Sequence, residues 1–428
     1  MNFKNIINPN CRAIAGLARD PLYRNSFFMA FTSIFNAGCG FLFWMIAARL
    51  YTVEQVGLAT ALVSSLGLVA LFSMLGFDSA IIRFFPSEDR GRVISTSLIV
   101  STTTSIMAGV LYILLVEILA PSMLFLRVPE FALTFILIGA LNSVVYIAGN
   151  SFIADRKADY YFLQMLFMAL RILALVPLAF LGVFGIFMSM CLGYLVASCF
   201  SLAMLQRNIG VIRPELDWDF IRRSFRFSSG IYVSSVLSVA PTLIISLMVL
   251  NMLGEAEAAK YNMAFLIGNM VQIIPTSIGT SLFVEGSHGE SLRRSVLRAG
   301  GASFALLVPA VLALLLFGDR LLGLLKGEYV EGFDLLRIFA LSSFPMTVYF
   351  LFVPIQNVRM RVESIVGLNA LRCVLFLGLS YVLMKQYGIL GAGYAWMGTY
   401  VVIALGIGWM ARWEVWDIIR HRHGVPAP

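Results

Sequence analysis

This sequence has little charge and almost no histidine. Of its 428 residues only 13% are Asp, Glu, Lys or Arg, against about 25% in soluble domains. The hydrophobic share is 60%, well above the roughly 45–50% of soluble proteins, which excludes an ordinary soluble globular domain. Three histidines, His288, His421 and His423, lie in polar segments. They are too few and too dispersed to build a catalytic or metal centre. The five cysteines (Cys11, Cys39, Cys191, Cys199, Cys373) are scattered and mostly inside apolar segments. They have neither CxxC nor other ligand spacing, which argues against a disulfide framework and a metal site. No catalytic residue, metal or cofactor is therefore expected. The basic residues are spread over many short loops, so nucleic acid is not an expected partner, and no hydrophilic stretch could form a soluble domain. The first 20 or so residues are polar and basic (Lys4, Arg12, Arg19), and no small-residue cleavage site follows an early apolar core, so no cleavable signal is expected.

What fills the chain instead is a series of apolar runs of about 20 residues separated by short polar ones, the pattern of helical membrane spans. Twelve spans are expected, at about 26–48, 55–76, 93–118, 131–153, 161–181, 185–205, 228–250, 259–283, 296–317, 335–355, 364–384 and 389–411. With the N-terminus inside, the inner segments hold 22 Lys or Arg residues and the outer segments 7, and Arg171 and Arg372 within spans complete the 31. That bias predicts a multi-pass protein of the cytoplasmic membrane with both termini cytoplasmic. The longest hydrophilic stretch, 206–227, holds Pro214 and the run ELDWDFIRRSFRF, and reads as an amphipathic connector.

The two halves repeat. Glu54 and Glu257 lie 203 residues apart, as do Gly76 and Gly279, and Gly185-Ile186 and Gly388-Ile389; Arg171 and Arg372 are 201 apart, each after Ala-Leu. A six-span unit has both ends on one side, so the copies are parallel and related by an axis along the membrane normal. The expected fold is thus an all-α polytopic membrane protein of two six-helix lobes, 1–210 and 211–428, the second with a short cytoplasmic tail. Pro241 in span 7 and Pro275 in span 8 free backbone carbonyls and permit kinks. They read equally as packing irregularities or as hinges.

Arg171 and Arg372 are the chief candidate binding residues. Each lies nine or ten residues into its span, roughly 15 Å deep at 1.5 Å per residue, near the middle of a hydrocarbon core of about 30 Å. An arginine there costs about 3 kcal/mol on insertion scales, so it faces an interior and has work there. A guanidinium fork grips phosphate oxygens with paired hydrogen bonds, which points to an anionic cargo. The alternative for each is an arginine tied to the carbonyls of a kinked helix. Asp78 and Arg83, in GFDSAIIR at the inner end of span 2, are candidates for a gate or phosphate contact. Asp78 could equally cap a short helix after Gly76, and Arg83 could anchor at the headgroups. Arg24, before span 1, could line the inward mouth or simply set topology. Glu117 near the outer end of span 3 is a weak candidate for proton coupling. Asn36, Asn142, Asn269, Gln272 and Asn369 could meet sugars, although helix–helix hydrogen bonds explain such residues as well.

The stretches AARLYTVEQVGLATAL and LGFDSAIIRFFPSEDRGR, and YGILGAGYA opening span 12, resemble the polysaccharide-repeat flippases of the multidrug/oligosaccharidyl-lipid/polysaccharide exporter superfamily. The family's Arg-Leu before the first outer loop matches Arg49-Leu50, and its arginine after span 2 matches Arg83. The resemblance implies two six-helix lobes around a cavity, and transfer of a polyprenyl-pyrophosphate-linked oligosaccharide to the outer leaflet. Its partners would be that anionic lipid-linked glycan, membrane lipids and glycan-assembly enzymes of the same pathway. Two rivals stand beside it. A drug or cation antiporter of the same superfamily would need a mid-membrane carboxylate, and no span has an Asp or Glu at its centre. A membrane-embedded glycan-processing enzyme would need a convergent base or nucleophile, and the sequence offers no His–carboxylate cluster.

Overall fold

The computed structural model describes residues 21–209, 215–287, 292–359 and 362–421. Lys4, Arg12, Arg19, Arg213, Pro214, Arg361, Arg422, His288 and His423 lie outside the described residues. So do the side chains of Arg24 and Arg293. Among the described residues the secondary structure is entirely helical.

The first half runs α1 (Pro21–Leu50), α2 (Val53–Ser73), α3 (Phe77–Phe84), α4 (Arg90–Leu119), α5 (Pro129–Ala154), α6 (Ala158–Met168), α7 (Arg171–Leu175) and α8 (Val183–Ile209). The second runs α9 (Trp218–Leu253), α10 (Glu255–Val271), α11 (Ile273–Ser287), α12 (Leu292–Gly323), α13 (Phe333–Val358), α14 (Val362–Tyr387) and α15 (Ile389–His421). Eleven helical stretches are long and apolar enough to cross a membrane. The pair α10 and α11, bent by 41°, makes a twelfth if it crosses as one span. Helices stand at all twelve expected positions, and α12 turns Leu297, Leu306, Leu312 and Leu316 outward, as a helix bathed in lipid does.

Local chemistry sets the boundaries. At the start of α2, Gln55 N–H donates to Thr52 Oγ1 at 3.3 Å while Thr52 N–H donates to Gln55 Oε1 at 3.1 Å, a reciprocal capping box. Asp89 accepts from Gly91 and Arg92 N–H at the start of α4, and Asp217 Oδ1 accepts from Phe220 N–H at the start of α9, each meeting donors that the helix leaves free. Pro275 has no N–H to give the carbonyl of Val271, and span 8 breaks there. Pro241, by contrast, sits inside the unbroken α9.

Two further breaks have no proline. Span 2 stops at Ser73, and Leu75 and Gly76 turn with φ of 48° and 82° before α3. A side chain at position 76 would also lie 2.5 Å from Ser228 Cβ, so the turn admits only glycine. Span 5 breaks at Ala169-Leu170, where Leu170 N–H bonds the carbonyl of Phe167 and Leu173 N–H that of Leu170. The helix tightens to i→i+3 bonding there and restarts as the short α7.

The chain forms two compact units, one running up to Tyr51 and over Leu66–Tyr232, the other comprising Thr52–Ser65 and the chain from Val233. Helices α2 and α9 therefore each contribute to both. In the first unit Phe77 and Ile81 of α3, and Phe85 just after it, pack with Ile94, Phe152, Leu205 and Phe220 in one apolar core. In the second, α2 meets α10 at Gly57, where an added Cβ would lie 1.9 Å from the carbonyl oxygen of Glu255. Nearby, Asn262 donates to Thr60 Oγ1 at 3.0 Å and accepts from Ser246 at 3.1 Å.

The internal repeat is visible in the backbone, with one pairing shifted. Gly182 and Gly388, which open the sixth span of each half, have φ of 58° and 56°. Three residues on, a Cβ at Gly185 would meet the carbonyl of Leu178 at 2.0 Å, and one at Gly391 that of Leu383 at 2.3 Å. By backbone geometry Gly388 thus matches Gly182, and Gly185 matches Gly391, rather than Gly185 matching Gly388.

Candidate functional site

The two arginines read as a pair from the sequence stand in different surroundings. Arg372 lies on the continuous α14 and is 8% exposed. Its Nη2 donates to the carbonyl oxygen of Ser238 at 2.5 Å and to Ser238 Oγ at 3.1 Å, and Nη1 donates to Tyr400 Oη at 3.0 Å. The guanidinium also lies over the Tyr349 ring, 5.1 Å from its centroid. Ser238 is three residues before Pro241, so this is the arrangement of an arginine tied to a carbonyl of a proline-containing helix. Asn369, one turn earlier, accepts from Tyr349 Oη at 2.7 Å and donates to Ser234 at 3.2 Å. Both side chains hold span 11 to its neighbours within the second unit.

Arg171 begins α7, at the break in span 5. Gly193 on α8 lets the backbones approach there: a Cβ on it would lie 2.8 Å from Arg171 Cβ and 2.9 Å from the carbonyl of Met168. The far end of α7 is tied down by Tyr51, whose hydroxyl donates to the carbonyl of Leu175 at 3.0 Å. The guanidinium stands over Phe43, 5.1 Å from the ring centroid. Its Nε is buried without a hydrogen-bond partner, and among the described residues Arg171 makes no ion pair. Its charge reaches Cys39 and Tyr194.

Beside it, within the first unit, is a cavity of about 260 Å³ between α1, α5, α6 and α8. Met168 and Tyr194 on its wall border Arg171 through Gly193. Neutral polar side chains dominate the polar part of the wall: Asn36, Asn142, Tyr146, Tyr161 and Tyr194. No Asp, Glu, Lys or Arg lines it. Asn36 and Asn142 were legible as candidate sugar contacts. The tyrosines were not, because a phenol in a span reads equally well as an interfacial anchor.

Asp78 is in the first turn of α3, with Gly76 rather than Asp78 at the N-cap. It makes no ion pair among the described residues, and its charge acts on Tyr146 and Tyr232. Arg83 is exposed in the last turn of the same helix, and no ion pair joins it to Asp78. Arg24 lies on α1, its side chain outside the described residues. Glu117 forms a surface ion pair with Arg127 at 3.1 Å. Among the described residues no three His, Cys, Asp or Glu side chains cluster as metal ligands would.

The described residues thus hold up to twelve candidate membrane spans, some of them broken, and a cavity with a polar wall in the first unit. Solved structures agree on the fold. An inward-facing multidrug resistance MATE family transporter of the MOP superfamily superposes with a TM-score of 0.74 at 15% identity, over 90% of this chain and 96% of that one. The lipid II flippase MurJ, in an inward closed conformation, does so with a TM-score of 0.73 at 12% identity, over 90% of this chain and 87% of that one. A Vibrio cholerae MATE transporter gives 0.61 at 15% identity, over 94% and 97%. No curated protein sequence matches. Residues 22–283 match the family described as polysaccharide biosynthesis protein, and the chain belongs to that family.

Proposed function

We propose that this protein is a flippase that carries a polyprenyl-pyrophosphate-linked oligosaccharide from the inner to the outer leaflet of the cytoplasmic membrane. The observation that carries the reading is Arg171. It is a mid-span guanidinium at a helix break, with a buried Nε lacking any partner, set against a cavity of neutral polar groups. An arginine so placed has donors left for phosphate oxygens. Membership of the polysaccharide biosynthesis family supports a cargo drawn from polysaccharide assembly.

In this reading Arg171 takes the pyrophosphate, and Arg83 and Arg24 are assigned to its approach from the inner face. Arg372 is assigned first to holding span 11, its guanidinium reaching cargo only if the Ser238 and Tyr400 bonds open. Asp78, beside Tyr146, sets the negative margin of the cavity. The lobes 1–210 and 211–428 are the repeat units, both termini are cytoplasmic, and glycan-assembly enzymes of the same pathway are the partners. No step of covalent chemistry is assigned.

The rival, exchange of a cation, rests on Asp78 and its reach to Tyr146. Reconstitution in vesicles separates the two. A short-chain polyprenyl-pyrophosphoryl sugar should become accessible to an external lectin with wild-type protein and not with Arg171→Ala. Uptake of an organic cation that depends on Asp78, with no lipid transfer, would overturn the proposal.

A further inference from the structure

We propose that the cavity in the first unit is a subsite for one neutral sugar of the cargo, the one next to the pyrophosphate. This rests on the assignment of the pyrophosphate to Arg171. Six side chains carry it: Asn36, Asn142, Tyr146, Tyr161, Tyr194 and Gln164. The amides of Asn36 and Asn142 and the three phenol hydroxyls have no hydrogen-bond partner among the described residues. Gln164 is fully buried. Its Nε2 donates to the carbonyl of Val145 at 2.6 Å, and this leaves Oε1 buried and unsatisfied. That oxygen lies 3.4 Å from where a Cβ on Gly149 would stand, and Gly149 lines the cavity.

An unmade hydrogen bond on a buried atom is expensive, as at Gln164 Oε1, and the unpaired amides and phenols border the same space. Amides and phenols both donate and accept, which suits hydroxyl and acetamido groups. An acidic sugar is disfavoured. The cavity wall offers no cation, and the nearby carboxylate of Asp78 acts on Tyr146 from one side. Arg171 stands one helical turn beyond Met168 on the cavity wall, so a phosphate held by it would leave the first sugar at the cavity mouth.

The test compares three short-chain polyprenyl-pyrophosphate lipids: bare, bearing an N-acetylhexosamine, and bearing a hexuronic acid. Each is titrated into full-length purified protein, as wild type and as Tyr161→Phe/Tyr194→Phe. The neutral sugar should tighten binding about tenfold over the bare lipid, the worth of one or two added hydrogen bonds. The double variant should lose that gain and hold the bare lipid as wild type does, and the uronate should add nothing. A free neutral disaccharide, which carries no phosphate, reads the subsite without the arginine. It should bind wild type and Arg171→Ala alike and be lost in the double variant, even if bare lipid binds neither. No gain from the neutral sugar, an equal gain from the uronate, or a double variant that keeps the gain would each overturn the subsite. Failure of the bare lipid alone would instead overturn the assignment of Arg171.

Discussion

Replacing each intramembrane arginine by alanine should separate two roles that the sequence makes look alike. In Arg372→Ala three hydrogen bonds vanish, and Tyr400 Oη and Ser238 Oγ lose their partner inside the protein. A buried polar group left unpaired costs about 1–3 kcal/mol, so two such groups bring the loss to roughly 2–6 kcal/mol, reduced somewhat because the buried charge is also gone. Arg171→Ala removes no hydrogen bond to a described residue. It forfeits the contact with Phe43, and a cation–π pair is worth about 0.5–2 kcal/mol. Arg372→Ala should therefore melt several degrees below wild type in detergent, and Arg171→Ala close to it, followed by intrinsic fluorescence and by the monodisperse fraction on gel filtration after heating. Arg372→Lys should recover only part of the loss, since an ammonium lacks the planar fork that spans Ser238 and Tyr400. Equal losses for the two alanine variants, or a larger one for Arg171→Ala, would refute the reasoning.

Other predictions follow from particular contacts. Gly57→Val should lower the melting temperature sharply or prevent folding, because its Cβ would lie 1.9 Å from the Glu255 carbonyl and overpacking costs at least about 1–3 kcal/mol. Gly367→Ala, with nothing within 4 Å of the new methyl and α-helix on both sides, should be neutral or stabilising by up to about 1 kcal/mol. Thr52→Ala should cost about 0.5–2 kcal/mol by opening the capping box at α2, and the Thr52→Ser variant should restore most of it. Asn262→Ala should cost about 1.2 kcal/mol, two interhelical hydrogen bonds at about 0.6 kcal/mol each in a membrane, as read by thermal unfolding.

The spans were legible because lipid imposes one rule along the whole chain: about 20 apolar residues, or a backbone left unsatisfied. The break of span 8 was legible too, since Pro275 removes a specific hydrogen bond. The breaks at Leu75-Gly76 and Ala169-Leu170 were not. Both breaks pack closely against residues distant in the sequence, Ser228 and Gly193, and no local residue pattern marks them. The site divides the same way. The cost of a mid-span charge marks Arg171 and Arg372 from the sequence alone, but whether that cost is met by protein or left for a ligand depends on partners 28 and 134 residues distant. The cavity tyrosines come from three separate helices, and no local pattern links them. The repeat shows the same limit, for the dipeptide Gly-Ile suggested one pairing of glycines and the backbone angles give another.

The measurement that bears most directly on the central claim is binding of a short-chain polyprenyl-pyrophosphate sugar to the purified protein, with inorganic pyrophosphate as competitor. Two charge-assisted hydrogen bonds to phosphate, each a net contribution of about 1.5–3 kcal/mol, put the expected weakening in Arg171→Ala at about 100-fold or more. The account predicts saturable binding by wild type, displacement by excess pyrophosphate, and that loss in a variant that still folds. Well-folded wild-type protein that ignores the lipid, or an Arg171→Ala variant that binds it as tightly as wild type, would contradict it.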